Sequence, residues 1–167
     1  MTEEVKRNYL EINSIQELKE TNELSDDYSL SLIDPISFQL NKFFYKNIGK
    51  KHKWVDRLIW SDQQWIDYVS SSKLKTYVLK NKDDLIGFFE LIFHLENKEV
   101  EVAYFGILEE YQNKKLGSFL LSEAIKKSFK KNINRVWLHT CSLDHQNALK
   151  NYLARGMKIF KSEIVTI

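Results

Sequence analysis

The stretch that most limits the fold is KTYVLKNKDDLIGFFELIFHLENKEVEVAYFGIL, residues 75–108. Three runs rich in β-branched and aromatic residues are separated by NKDD and ENKE, both polar and turn-prone. This spacing predicts three consecutive antiparallel strands. The middle run, IGFFELIFHL, is apolar enough to lie inside a sheet rather than at its edge. The third, Glu99–Leu108, alternates at its start and turns apolar at its end. After EEYQNKKLG, the residues Leu116, Leu120, Leu121, Ala124, Ile125 and Ser128 recur on one helical face. Lys126, Lys127, Lys130 and Lys131 fall on the other, toward the C-terminal end that the helix dipole favours for cations. RVWLHTCS then reads as a strand. Asp144 is a candidate N-cap for a helix carrying Ala148, Leu149, Tyr152 and Leu153, which Gly156 ends. MKIFKSEIVTI supplies one or two last strands. A strand–helix–strand crossover of this kind implies two neighbouring parallel strands, so the fold class is a mixed α/β domain with one central sheet flanked by helices.

The first half is less regular. YLEI, Tyr9–Ile12, alternates as a short strand does, SIQELKETN reads as a helical turn capped by Ser14, and YSLSLI, Tyr28–Ile33, is a second weak strand. Asp34 followed by Pro35 predicts a helix start, with Phe38, Phe43 and Tyr45 inside it and Gly49 as its C-terminal stop. Ser61 with Gln64 three residues on has the capping-box pattern, so a further helix is predicted there, carrying Trp65, Tyr68 and Val69.

Composition narrows the function classes. The chain has 167 residues, which suits a single domain with a full core. Lys and Arg total 25 against 23 Asp and Glu, a net charge of +2, too balanced to argue for a nucleic-acid partner; the lysine-rich helix face reads as solvated. No apolar run is long enough to span a bilayer, and MTEEVKRNYL lacks the apolar core of a secretory signal. With Cys141 as the only cysteine no internal disulfide can form, and a cytoplasmic location fits. No metal site is expected.

QNKKLG lies between a strand end and a helix start, where free backbone N–H groups and the positive dipole end favour an anion. It lacks the GK[ST] ending of a nucleotide P-loop and the G-x-G-x-x-G of a dinucleotide fold. In isolation it reads as a basic turn.

In context, the chain from about Thr76 onward resembles the GNAT superfamily of N-acetyltransferases. That family carries a Q/R-x-x-G-x-G/A loop at this point, and its backbone amides hold the pyrophosphate of acetyl-CoA. Gln112 matches the first position and Gly117 the last, while Lys115 stands where the family has its first glycine. The second family motif is matched in order by Asn147, Ala148, Tyr152 and Gly156, with Met157 in place of Phe. VEVAYFGILEEYQ is similar to the strand that carries the acetyl group, and LIGFFEL to the strand before it. WVDRLIWSDQQW and HTCSLDH are similar to one bacterial branch of the family, which fixes no substrate.

The resemblance implies one N-acetyltransferase domain over 1–167, with a helical acceptor-side segment at 34–72 and an acetyl-CoA-binding core at 76–167. It implies acetyl-CoA as co-substrate and a small-molecule or peptide amine as acceptor, with a homodimer left open. The cofactor residues it implies are Phe105, Gly106 and Ile107 on the strand, with the backbone oxyanion donor among them, then Gln112, Asn113, Lys114, Lys115, Leu116, Gly117 and Ser118 in the loop and helix start, and Asn147. Tyr152 is the candidate acid for the leaving thiolate. Direct transfer needs a base for the amine, which lies between Glu101, Glu90 and an ordered water. Glu90 interrupts GFFELIF, so its carboxylate must be paired or face a wet cleft. Trp54, Arg57, Trp60 and His139 are candidate acceptor-pocket residues, with Asp56 and Trp65 beside them. Each of these aromatic and charged residues has a packing role as its alternative.

Overall fold

A computed structural model describes residues 2–130 and 132–167; Lys131, assigned above to the lysine face, lies outside the described residues. The three runs of residues 75–108 become β3 (Leu74–Asn81), β4 (Asp84–His94) and β5 (Glu99–Ile107), antiparallel in sequence. Left-handed Lys82 and Lys98 close the two turns where the polar tetrapeptides stand. They join β1 (Glu4–Ile12), β2 (Tyr28–Leu32), β6 (Arg135–Cys141) and β7 (Lys158–Thr166) in one sheet of order β2-β3-β4-β5-β6-β1-β7. The middle run is interior, as its composition predicts: Phe88, Phe89 and Leu91 are fully buried.

Four helices complete the described fold: α1 (Phe38–Gly49), α2 (Asp62–Val69), α3 (Leu116–Ser128) and α4 (Ala148–Ala154). They divide the core in two. On one face of the sheet, Leu120, Leu121, Ala124 and Ile125 of α3 bury Leu10, Ile12, Phe89, Leu91, Val100 and Val136. On the other, Phe44 and Ile48 of α1 pack on Val78 and Phe88, and Phe44 stacks on Phe88 with ring centroids 4.9 Å apart. The predicted apolar face of α3 is buried at all six positions. The capping box of α2 is present in both directions, Ser61 Oγ accepting from Gln64 N–H and Gln64 Oε1 from Ser61 N–H.

The parallel neighbours that the crossover predicts are β5 and β6. The N-terminal strand is longer than YLEI and inserts between β6 and β7, antiparallel to both. The last segment is therefore one strand, and it pairs with the first.

Three local expectations are corrected. The Asp34–Pro35 pair does not start α1: Ile33 N–H still bonds Thr76 O, residues 34–37 turn the chain off β2, and Ser37 is the N-cap. Gly49 is not a left-handed stop; it stays helical at φ −70°, a short 3-10 turn follows, and the left-handed residue is Lys53. Glycine is needed at 49 because an added Cβ would sit 2.5 Å from Trp54 Cβ. Asp144 does not cap α4. Its Oδ2 accepts from Cys141 N–H at 2.9 Å and from Thr140 Oγ1, tying the chain to the end of β6. His145 Nδ1 accepts the Asn147 N–H at the helix start instead. Gly156 does end α4, at φ 104°. No helix among the described residues is long and apolar enough to cross a membrane.

Candidate active site

The cleft originates in two features of β5. The register to β4 shifts between Glu90↔Tyr104 and Leu91↔Val102, which leaves Ala103 as an extra residue, a β-bulge. The parallel ladder to β6 is confined to Glu99–Glu101 with Arg135–Trp137. Beyond it the two strands part, and between them lies a cleft of about 760 Å3. That volume is within the range of ligand pockets.

The parting leaves backbone groups of β5 without a strand partner. Leu108 N–H bonds Ile86 O on the β4 side. By the alternation of an antiparallel ladder, Gly106 also turns its backbone groups to β4, whereas Phe105 and Ile107 turn theirs to the cleft. The carbonyl of Ile107 agrees, accepting from Gln112 Nε2 at 3.1 Å. Of the three implied backbone donors, then, Phe105 and Ile107 face the cleft and Gly106 does not.

The loop after β5 is a tight cradle. A 3-10 turn, Glu109–Tyr111, leads to Gln112, whose side chain clasps the loop back to Ile107. Asn113 and Lys115 are left-handed, at φ 64° and 62°. The first intrahelical bond of α3 is Phe119 N–H to Lys115 O, so the N–H groups of Leu116, Gly117 and Ser118 have no carbonyl partner in the helix. An added Cβ at Gly117 would meet only Asn151 Nδ2, at 3.8 Å, so the approach to these groups is open. Asn151 Oδ1 is buried without a hydrogen-bond partner among the described residues. A phosphate fits the donors of this loop, and an extended segment fits the free strand edge.

Tyr152, on α4, lies across the cleft from β5, its ring edge-on to Phe105 at 6.3 Å between centroids. Burial, with a smaller contribution from Asp144, raises its pKa, so the phenol keeps its proton. Burial likewise raises the Cys141 thiol, helped by Asp144, so it is not poised as a nucleophile.

The opposite end of the cleft is built on the α1 face of the sheet. Trp54 lies edge-on to Tyr104 with centroids 4.8 Å apart. The Arg57 guanidinium is sandwiched between the rings of Tyr68 and Tyr104, 4.1 and 4.2 Å from their centroids. Its Nη1 donates to Glu90 Oε1 at 3.1 Å. Glu90 also accepts from Tyr68 Oη at 2.6 Å and from Asn41 Nδ2 at 2.7 Å, and it is fully buried. Burial alone would lower the Arg57 pKa, but Glu90 and the phenols of Tyr68 and Tyr104 outweigh it and the net shift is upward.

The cleft therefore brings together Tyr152, Glu101, Trp54, Arg57 and His139 with Gln112, Asn113, Lys115, Gly117, Ser118 and Asn147. It does not bring in Glu90, which is closed off by its three partners and is not placed as a base. Trp60 also lies off the cleft, edge-on to Trp65 and Tyr68. Lys114 and Leu116 do not line the cleft: Lys114 is exposed, its Nζ 5.7 Å from the Tyr111 ring centroid, and Leu116 is in the core. Glu101 faces the cleft with Oε1 3.2 Å from His94 Nε2. His139 lines the same side with its ring exposed; partial desolvation in the cleft and the nearby charge of Arg7 lower its pKa. Sequence reasoning missed Asn151, although its i, i+4 spacing from Asn147 on one helix was a usable signal. It also missed Arg7, His52 and Tyr104, which no local pattern marks.

The family model described as the Acetyltransferase (GNAT) family matches residues 38–157. No curated protein matches the chain. Among solved structures, it is similar to a GCN5-related N-acetyltransferase from Kribbella flavida, with TM-score 0.67 and 14% identity over 99% of this chain and 58% of that one. It is also similar to a GCN5-related N-acetyltransferase from Sphaerobacter thermophilus, with TM-score 0.75 and 11% identity over 97% and 50%. The ribosomal-protein-S18-alanine N-acetyltransferase from Escherichia coli aligns with TM-score 0.60 and 16% identity over 77% and 76%. At such identities these likenesses show the fold. The chain spans 58% and 50% of the length of the first two of these solved relatives. With the family model matching residues 38–157, most of the chain, and the fold shared with these structures, the chain belongs to the acetyltransferase (GNAT) family.

Proposed function

We propose that the protein transfers an acetyl group from acetyl-CoA directly to the primary amine of a small molecule or peptide. The observation that carries this is the gap between β5 and β6, which ends at a helix N-terminus with free N–H groups. When bound, acetyl-CoA supplies an acyl group already activated as a thioester. The Gln112–Ser118 cradle holds a pyrophosphate through backbone N–H groups, with Lys115 adding charge. The strand edge at Phe105 and Ile107 pairs with the amides of the tail, and the Phe105 N–H stabilises negative charge developing on the acyl oxygen. Glu101, directly or through a water, takes the proton of the attacking ammonium, which must be neutral to react. Tyr152 donates a proton to the departing thiolate. Cys141, a free thiol, suits a reducing, cytoplasmic setting.

A second reading, an acyl-CoA-binding module without turnover, is favoured by Lys115 at a left-handed position where glycine would be unstrained. Calorimetric titration with acetyl-CoA tests the shared part: saturable one-site binding is expected, and no heat and no thermal stabilisation would sink both readings. Acetylation of any amine in a broad panel removes the second reading.

A further inference from the structure

Arg7 enters the cleft from β1, ahead of the Tyr9–Ile12 stretch that the sequence predicts as a strand. Its backbone stands opposite Cys141 on β6 and Glu163 on β7, so its side chain shares a face with His139, Glu101 and Tyr104. Its Nε is sealed from water with no hydrogen-bond partner, and no carboxylate lies within 4.0 Å of it among the described residues. The carboxylates around it are engaged elsewhere. Glu163 accepts from Tyr9 Oη at 2.7 Å and pairs with Lys161 at 3.4 Å, and Asp144 is tied to Thr140 and Cys141. The other arginine of the cleft, Arg57, is already neutralised by Glu90. On the same side, Glu101 and Asp56 offer negative charge beside the rings of Trp54 and Tyr104.

A guanidinium held in a concave site without a counter-ion loses solvation that a planar, two-oxygen anion restores. We propose that Arg7 anchors the acceptor by a carboxylate, and that the acceptor is an amino acid or a related amine that also bears a carboxylate. This rests on the acetyltransferase reading. The amine end lies toward Glu101 and Asp56, and the carboxylate end toward the Nη groups of Arg7, where a charge-assisted, forked pair forms.

The test is calorimetry on the full chain loaded with CoA, using matched pairs: N-acetylglycine and its amide, N-acetyl-β-alanine and its amide, Nα-acetyl-lysine and its amide. In at least one pair the acid is expected to bind roughly tenfold or more tighter than the amide. Arg7→Gln should reduce the acid to the level of the amide while CoA affinity stays within about twofold, and Arg7→Lys should fall between. Equal affinities within every pair, no binding of any acid, or a preference that survives in Arg7→Gln overturns the anchor. If Arg7→Gln does not fold, Arg7→Lys decides by the same ratio. CoA binding with turnover of uncharged amines but no acid preference overturns this inference alone; failure to bind CoA overturns the acetyltransferase reading.

Discussion

Tyr152 shows how one residue carries both a packing and a chemical argument. It is almost fully buried, in the core with Ala148 and Leu149, yet it lines the cleft beside Phe105. The raised pKa means the phenol is still protonated above its ordinary value of 10.0, so an acid of this kind does not switch off as pH rises through 9. Tyr152→Phe is expected to lower kcat by about 100-fold or more with the KM for acetyl-CoA little changed. Steady-state kinetics from pH 6 to 9.5 measure both, and an unchanged kcat would remove Tyr152 from the reaction. Glu90 argues the other way. Interrupting an apolar run marked it as special in sequence, but the same signal fits a base and a buried counter-ion. Its partners Asn41, Arg57 and Tyr68 come from three separate segments, so only the fold chooses between the two. Glu90→Gln leaves the Arg57 cation uncompensated between its rings and should cost about 3 kcal/mol in urea unfolding. Loss of activity with stability intact would instead mark Glu90 as catalytic.

At the scale of elements, the strands of residues 75–108, the apolar face of α3 and the capping box of α2 were legible because each rests on local periodicity or a two-residue pattern. The start of α1 and the cap of α4 were not. At both places a neighbouring strand holds the chain: Ile33 still bonds β3 just before Asp34, and Asp144 binds the end of β6. The loop before α3 has its own test. Lys115 is left-handed, which costs a side-chain-bearing residue about 1 kcal/mol. Lys115→Gly is expected to stabilise the unliganded protein by up to about 1 kcal/mol and to weaken acetyl-CoA binding by about three- to tenfold, more at low salt. Thermal melts and titrations at two salt concentrations measure the two effects. Tighter binding by the glycine variant would mean that the lysine spoils the cradle.

For the whole molecule, the sequence contains the order of the second-half elements and their one crossover, and these place the cleft. The insertion of β1 between β6 and β7 is a long-range pairing with no local signature, and it alone delivers Arg7 to the acceptor side. The cleft itself follows from the bulge at Ala103 and the parting of β5 from β6, again invisible in the alternation of VEVAYF. The central claim, acetyl transfer in this cleft, is tested most directly by following thiol release from acetyl-CoA over a panel of amino acids, polyamines, aminoglycosides and peptides. Acceptor-dependent release, with the acetylated amine identified by mass and the rate cut by Tyr152→Phe, is the expected result. Saturable acetyl-CoA binding with no acceptor-dependent release anywhere in the panel would contradict it.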